Sequence, residues 1–385
     1  MRVASILSVL ALVVAANAQQ PPDGFVRPPI HVRGDASTGP TGLSPAKTRH
    51  AYGFDLITNQ GAGQTIGIVD AYDDPNIESD LAVFNSQFGL LPCTTANGCF
   101  HKIYASGVKP KTDAGWSLEI SLDVEWAHAI APKAKIILVE AASNSLANLL
   151  QAVDIAVQNG VSVVSMSFGG GESSTEASSD SHFSVSGVTF TASSGDSGAG
   201  VEYPAASPYV VAVGGTTLRL DTSGNWQSET AWSGSGGGRS SNENEPTYQI
   251  NLPLPNSNGK RGVPDVAYDA DPNTGFSVYD TVRDQGQLGW FQVGGTSAGA
   301  PQWAGVFAIV NSSRVAAGKS VLTSANFPVY AAATSGVYAS NYHDITSGSN
   351  GTCGTICNAA VGYDYVTGLG SPIAPGIVPF LVSQP

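Results

Sequence analysis

The chain has 385 residues, of which 42% are hydrophobic and only 12% are charged, with a formal net charge of -13 at pH 7. Composition and length are those of a globular protein with one large domain or two ordinary ones. The shortage of basic residues excludes the positively charged surface that nucleic-acid binding needs.

The first 18 residues are typical of a secretory signal peptide. Arg2 supplies the positive start, an apolar run follows, and Ala16-Asn17-Ala18 is a small-residue cleavage site. A membrane anchor is the alternative, but the apolar run is too short to span a bilayer. Residues 19–42, rich in proline and glycine, are predicted to be a linker or a short pro-segment. The sequence therefore predicts a secreted, extracellular protein whose globular part is residues 43–385.

Short aliphatic runs alternate with helix-compatible segments in the first half of this globular part. Five such runs are predicted strands, at residues 64–70, 135–140, 161–169, 188–193 and 209–214. Leu146 to Gln158 is a predicted helix. The alternation predicts an α/β fold in which helices cover a central parallel sheet. Residues 217–292 are glycine-rich and are predicted to be mainly loops.

Four cysteines form two close pairs in a chain that is predicted to be secreted. Of the three possible connectivities, Cys93–Cys99 with Cys353–Cys357 is favoured, and a metal site is the alternative. Asn311 and Asn350 begin glycosylation sequons.

One serine lies in a setting that suits a nucleophile. Ser297 follows Gly294-Gly295-Thr296 on a turn before an apolar, helix-compatible run. Backbone N–H groups at the beginning of a helix favour negative charge, but a serine nucleophile also needs a base. The candidate histidines are His31, His50, His101, His128, His182 and His343. None has the helical His-Gly-Thr-His-like context of a subtilisin-like triad between Asp70 and Ser297. His128 comes nearest, and a helix-end or core-edge histidine is the better interpretation of it.

Two carboxyl groups occupy the place where the histidine is expected. Glu119 and Asp123 are four residues apart and share one face of a predicted helix. Two ionised carboxylates this close repel each other, and a shared proton relieves the repulsion. A glutamate that takes the serine proton, supported by an aspartate, follows the logic of a catalytic triad. The alternative is a solvated acidic helix face, which the apolar neighbours disfavour.

A third carboxyl group follows the predicted strand at residues 188–193. Asp196 stands where subtilisin-like enzymes keep the asparagine that donates to the oxyanion. A protonated aspartate can donate the same hydrogen bond, and such a donor is worth about 2.7–4 kcal/mol. The alternative is an ordinary turn residue in Asp-Ser-Gly.

Together, Glu-x-x-x-Asp, Gly-Asp and Gly-Thr-Ser-x-x-x-Pro resemble the sedolisins, the serine-carboxyl peptidases, from Leu43 to the C-terminus. The resemblance implies a subtilisin-like three-layer fold with Ser297 as nucleophile and Glu119 as general base and acid. Asp123 would be the partner of Glu119, Asp196 the oxyanion donor, and Asp70 a supporting residue. The segment from Arg261 to Val266 also resembles the family, in a structural role.

The same resemblance implies an acid-active peptidase that acts on proteins or peptides through an acyl-enzyme. We expect a monomer that binds neither nucleic acid nor membrane, and an endopeptidase rather than a tripeptidyl-peptidase. The substrate is expected to pair with residues 165–169 and with the glycine-rich residues 234–238. An ordinary subtilisin and a catalytically silent binding protein on the same scaffold stay open as alternatives.

The C-terminal part resembles the calcium loop of that family. By position, the ligands would be the side chains of Asp344 and Asp364 and the carbonyl oxygens of Ile345, Ala360 and Gly362, a set of oxygen atoms that suits calcium. At position 360 this chain has alanine, whereas the family's calcium loop usually has glycine there. We expect one structural Ca²⁺ and no other cofactor. Two unrelated aspartate turns are the alternative.

Overall fold

The structure is a computed structural model that describes residues 24–334 and 336–385. The predicted signal peptide lies outside these ranges. The helices described are α1 (Pro45–Ala51), α2 (Ile77–Phe88), α3 (Ala114–Ile130), α4 (Leu146–Gln158), α5 (Thr247–Asn251), α6 (Gly299–Ala316), α7 (Asn326–Ala331), α8 (Tyr338–Asn341) and α9 (Ala374–Ser383).

The strands described are β1 (His31–Val32), β2 (Thr65–Ala71), β3 (Phe100–Tyr104), β4 (Lys135–Ala141), β5 (Val163–Met166), β6 (Gly170–Gly171), β7 (Thr189–Ser193), β8 (Glu202–Tyr203), β9 (Val210–Leu220), β10 (Trp226–Ala231), β11 (Gly238–Asn244), β12 (Lys260–Val263), β13 (Val266–Asp269), β14 (Phe276–Asp284), β15 (Gln287–Gly294), β16 (Tyr342–His343) and β17 (Ser371–Pro372).

A sheet of eight strands forms the middle layer, in the order β10-β9-β7-β5-β2-β4-β3, with β13 also paired to β9. Six of its pairings are parallel, and β9–β10 is antiparallel. One hydrophobic core contains residues of α3 and α6, and a second contains residues of α4. Helices thus cover both faces, and the predicted α/β fold with a central parallel sheet is confirmed.

The prediction of loops over residues 217–292 is wrong. This stretch contains β10 to β14, the end of β9 and most of β15. Strand β11, with the sequence Gly-Arg-Ser-Ser-Asn-Glu-Asn, has no apolar alternation and pairs with β12 through its backbone. Strands held mainly by backbone hydrogen bonds leave little hydrophobic pattern for a sequence to display.

Helix α3 is buried on every side. The side chain of Asp113 caps its N-terminus by accepting from the backbone N–H of Trp116, and all residues from Trp116 to Ile130 are buried. A helix in this position packs inside the protein rather than on its surface. The solvated acidic face that was the alternative interpretation of Glu119 and Asp123 is therefore excluded.

The cysteines form the predicted disulfides, Cys93–Cys99 and Cys353–Cys357. Both sequon asparagines are buried: Asn311 accepts a hydrogen bond from the N–H of Leu322, and the amide of Asn350 donates to the carbonyl of Ser235. Neither amide is therefore open to glycosylation in the folded chain. None of the helices in the described part of the chain has the length and apolar character to cross a bilayer.

Candidate active site

The candidate site lies where strands β2, β5 and β7 end at one edge of the sheet. Asp70 belongs to β2, Ser167 follows β5 by one residue, and Asp196 follows β7. The carboxyl ends of parallel strands are the usual position of ligand sites in such folds. Helices α3 and α6 pack against each other and against β2, so they bring Glu119 and Ser297 to the same edge.

Ser297 lies in a short 3₁₀ turn, Thr296–Ala298, that leads directly into α6. The preceding Gly295 has φ of 115°, a conformation that favours glycine. A side chain there would also stand 2.2 Å from the carbonyl oxygen of Pro29 and 2.5 Å from Asp196 Oδ2. Ser297 is buried, and its Oγ has no hydrogen-bond partner among the described residues. The hydroxyl is therefore free to meet a base and a substrate.

Three fully buried carboxyl groups, Asp70, Glu119 and Asp123, lie close enough to influence one another. Burial raises the pKa of Asp70 to about 8. Burial and then the charge of Asp70 raise the pKa of Glu119 well above its usual value. Burial, Asp70 and Glu119 raise the pKa of Asp123 in the same way. Such a group shares its protons, and it carries fewer negative charges than it has carboxyl groups.

The hydrogen bonds of this group are incomplete. Asp123 Oδ1 accepts from Ser167 Oγ at 2.8 Å. Both oxygens of Glu119 and both of Asp70 have no hydrogen-bond partner in the described part of the chain. Buried polar atoms without partners are uncommon in native proteins. Glu119 thus faces Ser297 with free acceptor atoms, which is the arrangement that proton transfer from the serine requires.

Asp196 is held by Thr296 through Oδ1, while its Oδ2 faces His31. Its Oδ1 accepts from the backbone N–H and from the hydroxyl of Thr296, both at 2.8 Å. Its Oδ2 forms an ion pair with His31 Nε2 of strand β1 at 3.2 Å, and this contact raises the pKa of His31. Oδ2 and the Pro29 carbonyl oxygen lie against the same face of Gly295. This anchoring turns Oδ2 toward the point where the carbonyl of a bound peptide lies.

His128 does not belong to the site. Its Nε2 hydrogen-bonds to the carbonyl of Leu91 at 2.8 Å, and burial lowers its pKa. All six histidines lie in the described ranges, and none forms a hydrogen bond to the hydroxyl of Ser297. The structure therefore does not contain the Asp-His-Ser triad of an ordinary subtilisin.

The N-terminal segment, residues 24–33, crosses this site as an extended strand. Arg27 exchanges both backbone hydrogen bonds with Gly169, each at 3.1 Å. Val26 N–H donates to the carbonyl of Asn144 at 3.0 Å, and the Asn144 amide donates to the carbonyl of Val26 at 2.8 Å. The segment is therefore clamped between two stretches of the protein, as an added β-strand is.

The same segment passes Ser297 and continues on the other side. The carbonyl oxygen of Pro29 accepts from the Ser297 backbone N–H at 3.4 Å, so the peptide bond between Pro29 and Ile30 lies beside the serine. Strand β1 then pairs with β15, with His31 opposite Gly294. The predicted pairing near residues 165–169 is found for this segment. The segment does not pair with residues 234–238, where the N–H of Gly236 donates to the carbonyl of Gly195 and that of Gly237 to the carbonyl of Gly200.

Comparison with known proteins gives the family. Residues 110–327 match the model of the subtilase family. Kumamolisin of Bacillus sp. (strain MN-32) is 35% identical over 373 residues, covering 88% of this chain and 63% of kumamolisin. A solved structure, that of Pseudomonas sedolisin (a serine-carboxyl proteinase) complexed with two molecules of pseudo-iodotyrostatin, is also similar. The match covers 91% of this chain and 100% of the sedolisin chain, with a TM-score of 0.75 and 29% sequence identity. The chain belongs to the subtilases, and within them to the sedolisins.

Other relatives of this sedolisin include a tripeptidyl-peptidase of Arthroderma otae, which is 28% identical over 86% of this chain and 63% of its own length. The chain thus spans 63% of the length of both curated relatives named here.

Four of the five predicted calcium residues of this sedolisin form two pairs, Asp344 with Gly362 and Ala360 with Asp364, whereas Ile345 makes no described contact with them. The backbone N–H of Gly362 donates to both oxygens of Asp344 at 3.1 Å, and the N–H of Ala360 donates to Asp364 Oδ2 at 3.0 Å. The hydroxyl of Tyr338 lies 3.1 Å from Asp344 Oδ1 and 3.4 Å from the carbonyl oxygen of Gly362. Carboxylate and carbonyl oxygens meet here, and this all-oxygen donor set fits a hard cation such as calcium.

Two features of the site were missed in the sequence. Ser167, which holds Asp123, lies in the strand-like run Ser-Met-Ser-Phe-Gly without any motif of its own. The second is the N-terminal segment, residues 24–33, which falls within the predicted linker or short pro-segment. Its signal was weak but present, because two short β-prone runs, Phe25-Val26 and Ile30-His31-Val32, flank Pro28-Pro29.

Proposed function

We propose that this sedolisin is a secreted, acid-active serine-carboxyl peptidase that hydrolyses peptide bonds of proteins or peptides. The observation that carries the proposal is the position of the N-terminal segment. Its Pro29 carbonyl accepts a hydrogen bond from the Ser297 N–H and lies, with Asp196 Oδ2, against Gly295, while buried Glu119 lies close to Ser297. A peptide bond thus lies among a nucleophile, a base and an oxyanion donor, as acyl transfer requires.

The chemistry follows the usual steps of acyl transfer. Glu119 takes the proton of Ser297, and the serine oxygen attacks the substrate carbonyl carbon. The Ser297 backbone N–H and a protonated Asp196 stabilise the negative charge of the tetrahedral intermediate. Glu119 then gives its proton to the leaving amine, and water releases the acyl-enzyme by the same route. Asp123, held by Ser167, shares the proton of Glu119 and keeps its carboxyl group oriented.

An acidic pH optimum follows from the protons that this mechanism needs. Asp196 must carry a proton to donate, while Glu119 and Asp123 together must carry a negative charge to accept one. The first requirement favours acidic solution, and strongly falling pH neutralises the pair. A maximum at alkaline pH would contradict the mechanism.

The contacts of the segment favour an endopeptidase. The carbonyl of Gly24 accepts from the N–H of Leu146 at 2.9 Å, so residues 24–29 all lie in the cleft before the bond beside Ser297. A tripeptidyl-peptidase would need a cleft that closes after the third residue. We therefore propose that the enzyme cleaves within chains.

Secretion, a single calcium ion and a monomeric state complete the proposal. The predicted signal peptide and the two disulfides suit an oxidising, extracellular compartment. Asp344 and Asp364, with the carbonyl oxygens of Ile345, Ala360 and Gly362, would hold the ion. A bound calcium would supply a cross-link between the two halves of this C-terminal region.

Digestion of a denatured protein tests the function directly. The purified chain should digest denatured casein between about pH 3 and 6, where carboxyl pairs titrate. The Ser297→Ala variant should not, and product masses should show internal cleavage. Absence of digestion by the unaltered chain across this range would contradict the proposal and favour a binding protein on a peptidase scaffold.

A further inference from the structure

The loop that carries Asp196 (the Asp196 loop, residues 194–200) lies against the glycine-rich loop, residues 234–238. Two backbone hydrogen bonds join the loops on either side of Asp196, one from the N–H of Gly198 to the carbonyl of Gly234 at 2.9 Å and one from the N–H of Gly236 to the carbonyl of Gly195 at 2.7 Å. A Cβ at Gly236 would stand 2.2 Å from the carbonyl oxygen of Ser194, so the two loops are in direct contact. The backbone position of Asp196 therefore depends on where the glycine-rich loop lies.

One asparagine contacts both loops. Asn350, which is 5% exposed, donates from its side-chain amide to the carbonyl of Ser235 at 2.8 Å. Ser235 is buried and lies between the two glycines that hold the Asp196 loop. The carbonyl of Asn350 in turn accepts from the N–H of Ala199 at 2.9 Å. These hydrogen bonds form a closed ring, which runs from Asn350 through the glycine-rich loop and the Asp196 loop back to Asn350.

Asn350 is itself fixed by its neighbours. Its N–H donates to the carbonyl of Cys357 at 3.0 Å, and the disulfide of Cys357 with Cys353 closes a short loop there. On the other side, Gly198 has φ of 73°, and a Cβ there would stand 2.6 Å from the carbonyl oxygen of Asn350. Glycine allows two backbones to approach this closely. Asn350 is therefore held between the disulfide loop and the Asp196 loop.

The ring of hydrogen bonds matters for the reaction because an oxyanion donor works only where its position matches the developing charge. Thr296 fixes one carboxyl oxygen of Asp196, and the ring fixes the backbone on both sides of this residue. We infer that Asn350 is a positioning residue for peptide hydrolysis. Its amide holds Ser235, and Ser235 holds the loop that presents Asp196 to the oxyanion. This inference rests on the proposed peptidase function.

The variant Asn350→Ala tests the inference on the full chain. The substitution leaves the buried carbonyl of Ser235 without its amide donor, which frees the glycine-rich loop to shift. The kcat for one quenched peptide at acidic pH should fall about tenfold, and KM should stay within about twofold, because the oxyanion donor acts in the transition state. Circular dichroism checks folding. The variant Asn350→Leu keeps most of the side-chain volume without the donor, and it replaces Asn350→Ala in every comparison if that variant does not fold.

Two comparisons separate positioning from a general loss of structure. In the Asp196→Ala chain no carboxyl donor is left to position, so the addition of Asn350→Ala should lower kcat by less than about twofold. The control Asn311→Ala also removes a buried amide, whose oxygen accepts from the N–H of Leu322 at 2.9 Å. Asn311 lies in the second half of α6 and forms no hydrogen bond to either loop in the described part of the chain. This control should leave kcat unchanged.

Digestion of denatured casein separates the two possible failures. If the unaltered chain digests neither casein nor the quenched peptide, the proposed peptidase function fails. If it digests both while the folded Asn350→Ala chain keeps its kcat, or changes KM alone, the inference is overturned. It is also overturned if Asn350→Ala lowers kcat equally with and without Asp196, or if Asn311→Ala lowers kcat as much. Either result would assign the loss to a general loosening of the structure.

Discussion

Replacement of Asp196 distinguishes a protonated carboxyl donor from an ordinary turn residue. Thr296 holds Oδ1 of Asp196 through its N–H and hydroxyl, and Oδ2 lies with the carbonyl oxygen of Pro29 against Gly295, paired with His31 Nε2 at 3.2 Å. In the Asp196→Asn variant the amide oxygen can keep both contacts with Thr296. The amide nitrogen then takes the place of Oδ2 and donates at every pH. In the Asp196→Ala variant the donor is absent.

The expected magnitudes differ sharply between the two variants. An oxyanion donor is worth about 2.7–4 kcal/mol, so Asp196→Ala should lower kcat by about 10²–10³. Asp196→Asn should stay within about tenfold of the unaltered chain at its acidic optimum. Its activity should also persist to higher pH, because an amide has no proton to lose in this range.

Steady-state cleavage of one quenched peptide between about pH 3 and 8 measures both effects, and circular dichroism checks that each variant is folded. Two results would refute the reasoning. One is a folded Asp196→Asn variant as inactive as Asp196→Ala. The other is an unchanged decline of activity with rising pH in the asparagine variant, since that decline would then belong to another group.

Three further predictions concern the base, the buried carboxyls and the cation site. Glu119→Ala should abolish casein digestion while His128→Ala, if folded, retains it; the reverse pattern would restore the histidine triad. The pKa of Asp70 is about 8 in the folded chain and about 4 in the unfolded chain. Between these pH values the folded chain binds one proton more than the unfolded chain, so the free energy of unfolding decreases as pH rises. The melting temperature should therefore fall from pH 4 to pH 8, and it should fall less steeply in the Asp70→Asn variant. An equally steep fall in the variant and the unaltered chain would contradict this. Calcium should raise the melting temperature of the unaltered chain and not that of Asp344→Asn, and a chelator should reverse the gain; no calcium effect would exclude the site.

The chemistry-bearing residues could be predicted from sequence because their signals are local. Glu119 and Asp123 share a helix face at a spacing of four, and Ser297 precedes a helix within one short motif. Strands β2, β4, β5, β7 and the beginning of β9 are buried aliphatic runs, so they stood out as well. Each of these signals depends on neighbouring residues, and the physical rule behind each acts over a few residues.

Other features depended on contacts between distant parts of the chain. Residues 24–33 return to a cleft built from residues more than a hundred positions away, and backbone hydrogen bonds to Gly169 and Asn144 hold them there. Backbone groups are the same in every residue, so such pairing leaves no pattern in the side chains. The sequence by itself determined which residues carry the chemistry. The tertiary structure decided that α3 is buried, that no histidine reaches Ser297, and that the chain's own N-terminal segment lies across the site, since burial and long-range pairing exist only once the chain has folded.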